Sequence, residues 1–110
     1  MQHIIKNAKV VGGVAIMSPT FNTGKSKRTS VQMTVNSQTS EDSGARAFIQ
    51  VSNDGKEWFN LGVLETTGTG IQKDGGPYEA LWEYTRLRLE STPEHGVGRV
   101  NIFLTTRESR

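Results

Sequence analysis

Apolar and polar residues alternate at every second position along much of this 110-residue chain, and helical spacing is scarce. In the clearest example, residues 28–36, Val31, Met33 and Val35 share one side, and polar residues occupy the positions between them. This alternation is typical of an antiparallel strand with one buried face and one exposed face. Since no segment needs a helix of ordinary length, the pattern predicts an all-β chain.

A β-hairpin is predicted between residues 45 and 64. Residues 45–52 alternate in the same way and end at Asn53-Asp54-Gly55-Lys56, a turn sequence in which Gly55 can adopt a positive φ without a steric penalty. Residues 56–64 then return as the partner strand. The two strands are therefore expected to be neighbours in one sheet.

Further strands are predicted towards both ends of the chain. Near the C-terminus, residues 84–89 and 100–104 alternate, and the stretch between them holds Pro93 and two glycines. This turn chemistry predicts that the two strands pair as neighbours. Residues 8–17 are rich in valine and isoleucine but interrupted by Gly12-Gly13, which predicts a strand with a bulge or bend.

The segments between these strands are predicted to be loops. They are residues 18–27, 37–44 and 66–77, the last of which holds four glycines. Short strands separated by such turns predict a single antiparallel β-sandwich, jelly-roll-like in form, of about six to eight strands with long Gly/Thr loops. Residues 1–110 form one domain in this interpretation, with residues 1–9 as an N-terminal arm.

Charge and composition favour binding over catalysis. The 13 basic and 11 acidic residues leave a net charge of +2 at pH 7, which gives little support to nucleic-acid binding. The chain has no cysteine, no Gly-x-Ser-x-Gly sequence and no histidine beside a second ligand at metal-binding spacing. No enzymatic activity, cofactor or metal is therefore expected. The N-terminal residues lack signal-peptide features and no apolar run is long enough for a membrane span, so no membrane association is expected.

Several aromatic and basic side chains are predicted to face away from the core. Phe48 and Phe103 lie on the polar sides of their strands, and Tyr84, Arg86 and Arg88 share the outer side of another. Aromatic residues and arginine are enriched at the centres of protein interfaces. A partner surface and rings covered by loops or by the N-terminal segment are both compatible with this pattern. The candidate partner contacts are Phe48, Phe103, Tyr84, Arg86, Arg88 and the basic cluster Lys25, Lys27 and Arg28.

The run from Val51 to Gly62, with its Asp54-Gly55 turn and Trp58, precedes Tyr84-Thr85-Arg86-Leu87-Arg88-Leu89. This pattern resembles two groups of β-sandwich proteins, the small virion structural proteins of tailed bacteriophages and the discoidin-like carbohydrate-binding sandwiches. The first resemblance implies a non-enzymatic decoration or cement protein that binds the major capsid protein or another virion protein, often as a trimer. It also implies a place in the virion after assembly in the host bacterial cytoplasm.

Alternative functions are compatible with the same residues. A neck, tail or fibre-attachment protein of the virion is one alternative. A carbohydrate-binding module is another, in which Trp82 and Tyr84 stack on sugar faces. A third is a single-strand nucleic-acid binder with Phe48, Phe103 and the two arginines as a stacking platform, which the low net charge disfavours. In the virion interpretation, residues 1–9, the Lys25-Lys27-Arg28 loop and the 66–77 loop are further contact segments.

Overall fold

The computed structural model describes residues 2–10, 14–23, 26–38, 44–67, 70–78, 82–92 and 98–108. Its regular structure consists of β-strands, which confirms the all-β prediction. The strands are β1 (Gln2–Val10), β2 (Ile16–Met17), β3 (Phe21–Asn22), β4 (Ser26–Gln38), β5 (Gly44–Ser52), β6 (Phe59–Thr67), β7 (Gly70–Tyr78), β8 (Tyr84–Thr92) and β9 (Gly98–Glu108). In the described part of the chain, no helix has the length and apolar character that crossing a membrane requires.

The strands form two antiparallel sheets packed face to face, which confirms the predicted β-sandwich. The four-stranded sheet has the order β1-β9-β4-β7. The five-stranded sheet has the order β2-β8-β5-β6, and β3 also pairs with β8. Strands β6 and β7 therefore lie at edges of different sheets on the same side of the sandwich, although they are consecutive in the chain.

The core lies between the two sheets and is built from the inward side of each strand. Val31, Met33 and Val35 on β4 are buried and alternate with exposed residues such as Ser30 and Gln32, as the sequence pattern predicts. The other large core residues share near-complete burial: Val10, Ile49, Leu64, Val51, Leu87, Leu89, Val100 and Ile102. Burial of this apolar set is the main force that holds the sheets together.

A short segment closes one edge of the five-stranded sheet by hydrogen bonding to β8. The Ser18 amide donates to the Leu87 carbonyl at 2.8 Å, and the Leu87 amide donates to the Ser18 hydroxyl oxygen at 2.7 Å. The Thr23 amide donates to the Glu83 carbonyl at 2.8 Å. Between β2 and β3, the Ser18 side chain supplies the acceptor for the Leu87 amide, so this segment stays bonded to β8. The prediction of a loop over residues 18–27 is therefore wrong in part.

The N-terminal residues form a sheet strand, so the predicted arm at residues 1–9 is wrong for the described part, residues 2–9. Strand β1 pairs with β9, with Ala8 opposite Val100. Ile4, Ile5 and Val10 are buried in the core. The physical reason is apolar burial, which outweighs the freedom of an exposed arm. The predicted strand over residues 8–17 is also divided, since β1 and β2 belong to different sheets.

Two predicted connections are wrong, because each depends on pairing between strands that are far apart in the chain. Strands β8 and β9 lie in different sheets and are not neighbours, since β8 pairs with β5 and β9 pairs with β1 and β4. The predicted loop at residues 66–77 contains the end of β6 and most of β7. Strand β7 pairs with β4 from Thr29 opposite Tyr78 to Gln38 opposite Gly70. Pairing with a central strand overrides the weak strand propensity of glycine.

Candidate functional site

The outer surface of the five-stranded sheet carries apolar side chains beside arginines. Cross-strand pairing aligns Met17 with Arg88, Arg88 with Phe48, and Phe48 with Val63. Met17 is 44% exposed and Val63 is 38% exposed, while Phe48 between them is half-buried. We call the surface formed by Met17, Phe48, Val63, Arg86 and Arg88 the arginine face. It combines an apolar centre with positive charge, a composition typical of interface centres.

Arg86 is held in place by two neighbouring side chains. The central carbon of its guanidinium group lies 3.9 Å from the centroid of the Trp58 ring. Its Nε donates a hydrogen bond to Gln50 Oε1 at 2.9 Å. Gln50 in turn donates from Nε2 to Asn60 Oδ1 at 3.2 Å. Stacking on the Trp58 ring and the hydrogen bond to the Gln50 side-chain amide together orient the guanidinium group before any partner binds.

The other arginines of this sheet surface lie beside carboxylates. Arg46 Nε lies 3.4 Å from Glu65 Oε1, and Arg88 Nε lies 3.6 Å from Glu90 Oε2. These exposed pairs contribute little to stability because water screens them and both side chains lose freedom. Arg86 differs, since its contacts are a neutral amide and an aromatic ring. The arginine face therefore presents a positive charge that is positioned by uncharged groups.

The hairpin turn beside this face has the geometry that the sequence predicts. Gly55 adopts a φ of 75°, and the Asp54 carboxylate accepts the amides of Lys56 and Glu57 at 2.8 and 2.9 Å. These two bonds, with one from the Ser52 hydroxyl, hold the pKa of Asp54 below its usual value. The turn therefore fixes the backbone just before Trp58, and this places the Trp58 ring against Arg86.

The aromatic residues at the end of the sandwich pack against each other. Phe59 is 52% exposed, and its ring centroid lies 5.5 Å from that of Trp82, which is half-buried. Tyr84 is also half-buried, and its ring edge lies beside Gly55. The pair predicted to stack on sugars, Trp82 and Tyr84, is therefore engaged in contacts within the protein.

The outer surface of the four-stranded sheet contains a groove, whereas side chains cover the arginine face on the other sheet. A groove of about 670 Å³ opens between β4, β7 and β9. Its lining residues are Ser30, Val31, Gln32, Lys73, Asp74, Gly75, Gly76, Pro77, Phe103 and Thr105. We call it the glycine groove.

The structure divides the predicted contact residues between two opposite surfaces. Phe48, Arg86 and Arg88 lie together on the arginine face, and Tyr84 lies at its end on the same strand face. Phe103 lies in the glycine groove on the other sheet. The nucleic-acid platform that joins both phenylalanines is therefore wrong, because β5 and β9 are in different sheets. The role of each of these residues as a partner contact stays a prediction.

The predicted basic cluster falls largely outside the described side chains. Lys25 lies outside the described residues. Lys27 and Arg28 lie in strand β4, so this part of the cluster is in a strand and not in the predicted loop. The structure describes neither side chain, and their role as contacts stays a prediction.

Sequence reasoning missed several residues at and beside the arginine face. Trp58 and Gln50 were not associated with Arg86, because their contact depends on the pairing of β5 with β8. Met17 joins the arginine face only through the pairing of β2 with β8. Val63 had a readable signal, since it alternates with buried Leu64 in a predicted strand.

No protein-family model matches the sequence, and no curated protein sequence matches it. Solved structures share the fold. The phage protein XepA, a PBSX exported protein, aligns with a TM-score of 0.73 at 12% identity over 99% of this chain. This chain spans 37% of the XepA chain. A chain of the cowpea mosaic virus empty virus-like particle aligns with a TM-score of 0.61 at 8% identity, over 96% of this chain and 79% of that one.

A carbohydrate-binding structure shares the fold as well. CBM35 from Cellvibrio japonicus Abf62 aligns with a TM-score of 0.56 at 12% identity, over 91% of this chain and 72% of that one. The resemblance to phage and carbohydrate-binding sandwiches is thus confirmed at the level of the fold. At these identities the likeness describes architecture, and unrelated functions share such folds.

Proposed function

We propose that this protein is a non-enzymatic structural component of a bacteriophage virion that binds another virion protein through the arginine face. The observation that carries the proposal is the alignment of Met17, Arg88, Phe48 and Val63 across four strands, with Arg86 held beside them. An apolar centre flanked by an oriented arginine matches the composition of interface hot spots. The fold shared with phage and virus-particle proteins supports the same role.

The chemistry of this surface defines the partner that it would recognise. Arg86 presents a planar group that can donate two parallel hydrogen bonds to a carboxylate. Phe48 and Val63 would pack against an apolar patch at the centre of the contact. The partner surface therefore has an aspartate or glutamate beside an apolar residue. Complementary charge would also speed the encounter, with a rate that falls as salt is added.

In its specific form, the proposal is a decoration or cement protein bound to the major capsid protein on the outside of the particle. Many copies, each with a modest contact, would together resist expansion of the shell, because repeated sites multiply the total binding. A homotrimer and a place in the assembled virion belong to this proposal, through the resemblance to virion proteins.

The test is binding to particles of the phage that encodes the chain. Purified protein is mixed with capsids and with tails that lack it, and each mixture is sedimented. We expect co-sedimentation with capsids, and Arg86→Ala should weaken it by about tenfold or more. Asn36→Ala, an exposed change on the other sheet, is the matched control and should bind as the wild type does.

The same experiment separates the particle locations. Co-sedimentation with tails alone would favour a neck, tail or fibre-attachment role over decoration. Failure to bind either fraction would refute the virion role. Equal binding by Arg86→Ala and the wild type would refute the arginine face as the contact surface.

A carbohydrate-binding role is the second candidate function. Trp82 packs against Phe59, and Tyr84 lies beside the Gly55 turn, so the predicted sugar platform is engaged within the protein. The glycine groove favours this function independently, since it places Phe103 beside hydroxyl and amide side chains in a cavity.

A further inference from the structure

The glycine groove exists because one position in the outer surface of the four-stranded sheet lacks a side chain. Gly75 pairs with Gln32 on β4, and Gln32 pairs on its other side with Phe103 on β9. Residues two positions away along a strand point to the same face. Lys73 and Pro77 therefore stand on either side of the bare position at Gly75. The result is a depression with walls on both β7 and β9.

Close contact between backbones requires glycine at this position. A Cβ atom on residue 75 would lie 2.8 Å from the Val31 carbonyl oxygen and 3.4 Å from the Gln32 Cα. Both atoms belong to the backbone of β4, which is held in the middle of the sheet by β9. A side chain here would force the two strands apart, so the open floor is part of the strand pairing itself.

The groove offers the two kinds of contact that a sugar needs. Phe103 is half-buried and supplies an apolar ring on one wall. Ser30, Gln32 and Thr105 supply hydroxyl and amide groups, which can both donate and accept hydrogen bonds. A sugar ring has an apolar face formed by its C–H groups and a rim of hydroxyls. The ring of Phe103 matches the face, and the polar side chains match the rim.

The charges around the groove favour an uncharged ligand. Lys73 and Asp74 are the two charged residues among those that line it. The Asp74 carboxylate already accepts the Glu65 amide from β6 and the amide of Gly75, each at 2.8 Å. One cation and one engaged anion leave the lining with no net charge. Among the described residues that line the groove, a strongly anionic ligand therefore has no matching cluster of cations.

We infer that the glycine groove binds an uncharged oligosaccharide, with Phe103 against a sugar face and Gln32, Ser30 and Thr105 at its hydroxyls. The volume of about 670 Å³ lies within the range of about 300–1,000 Å³ typical of small-molecule sites. This site is on the opposite sheet from the arginine face and does not depend on the proposed virion role.

Binding is tested on an array of uncharged and acidic oligosaccharides, followed by calorimetric titration of the best-bound uncharged member. We expect the uncharged members to bind. Gln32→Ala should weaken binding by about 3- to 10-fold, the effect of one neutral hydrogen bond. Phe103→Ala should weaken it by about tenfold or more, because the apolar contact is lost. Asn36→Ala, on the same strand and face but outside the groove, should bind as the wild type does.

Two different variants allow sugar binding in the groove to be tested even if one of them misfolds. Gln32 is exposed, so Gln32→Ala tests the groove if Phe103→Ala fails to fold. Absence of binding to every uncharged member, binding of acidic members only, or unchanged affinity in Gln32→Ala would overturn the inference. Capsid sedimentation of Gln32→Ala separates the two proposals, because loss of sugar binding with intact particle binding leaves the virion role standing.

Discussion

The two outer surfaces of the sandwich are built by the same alternation and end with opposite shapes. On the arginine face, side chains from neighbouring strands fill adjacent positions, so Phe48 has Arg88 on one side and Val63 on the other. In the glycine groove, Gln32 has Phe103 on one side and the bare position of Gly75 on the other. A sheet surface therefore becomes a cavity where the residue opposite a side chain has no side chain of its own. A filled surface suits a protein partner, and a cavity suits a small ligand.

The two surfaces also differ in how their polar groups are held. Arg86 is oriented by Trp58 and Gln50, which lie on the hairpin next to its strand. The groove depends on main-chain contact between β7 and β4 at Gly75. One surface is therefore adjustable by side-chain substitution, while the other is sensitive to any change that separates two strands. Variants can be used to test this contrast.

The largest expected effect comes from the core, on which both surfaces rest. Leu87 is fully buried on β8, and Leu87→Ala should lower the free energy of unfolding by about 2–5 kcal/mol, because it removes apolar contacts and leaves a cavity. Urea unfolding measures the change. The neighbouring Arg88→Ala, whose side chain points outward, should stay within about 0.5 kcal/mol. Similar losses in both variants would contradict the assignment of inward and outward faces.

A smaller loss is expected at the edge that supports the arginine face. Ser18→Ala removes the acceptor of the buried Leu87 amide, which should cost about 1–3 kcal/mol because that amide loses its hydrogen bond. Hydrogen exchange at Leu87 should become faster. Ser30→Ala, at an exposed serine on the other sheet, provides the control. An unchanged exchange rate at Leu87 would show that the Ser18 hydroxyl does not hold this edge.

Arg86→Lys tests whether the planar guanidinium group, and not the charge alone, is held by its neighbours, because lysine keeps the charge and lacks the planar group. The variant loses stacking on Trp58 and the Nε bond to Gln50, so stability should fall by about 0.5–1 kcal/mol and Trp58 fluorescence should change. Arg46→Lys retains charge in an exposed ion pair and should alter stability by less than about 0.5 kcal/mol. Equal effects of the two changes would mean that Arg86 is not held by its neighbours.

The smallest effect concerns the hairpin turn and depends on pH. The pKa of Asp54 is lowered in the folded state by the amides of Lys56 and Glu57, so its ionised form stabilises the fold above the ordinary pKa of this group. That contribution is lost as pH falls through the lowered, folded-state pKa. Asp54→Asn should therefore have a lower Tm than the wild type at about pH 7, and the two should converge near about pH 2. A constant difference in Tm across this range would exclude the charge as the cause.

The part of the fold predicted from sequence is the part that local chemistry decides. The β5–β6 hairpin was predicted because Asp54-Gly55 defines a turn within four residues, and the structure has Gly55 at a φ of 75°. Strand β4 was predicted because Val31, Met33 and Val35 mark one face. Both signals lie within one segment of chain. They predict the element and its buried side without reference to the rest of the molecule.

The candidate site could be predicted only in part for the same reason. The outward direction of Phe48, Arg86 and Arg88 follows from alternation, and the structure brings these residues together. Phe103 also points outward, but its sheet depends on the pairing of β9 with β1 and β4. The groove was missed because Gly75-Gly76-Pro77 has the composition of a loop and becomes a strand only beside β4.

Local sequence thus specified an all-β chain, its clearest strands, one turn and the direction in which single side chains point. Alternation and turn chemistry act over a few residues, so these features need no distant partner. The tertiary structure decided which strands are neighbours, which sheet each outward residue occupies, and where a bare position becomes a cavity. Pairing between strands far apart in the chain brings Gly75 against Val31 and Arg86 against Trp58. Such contacts depend on the burial of the whole core, and no short segment contains that information.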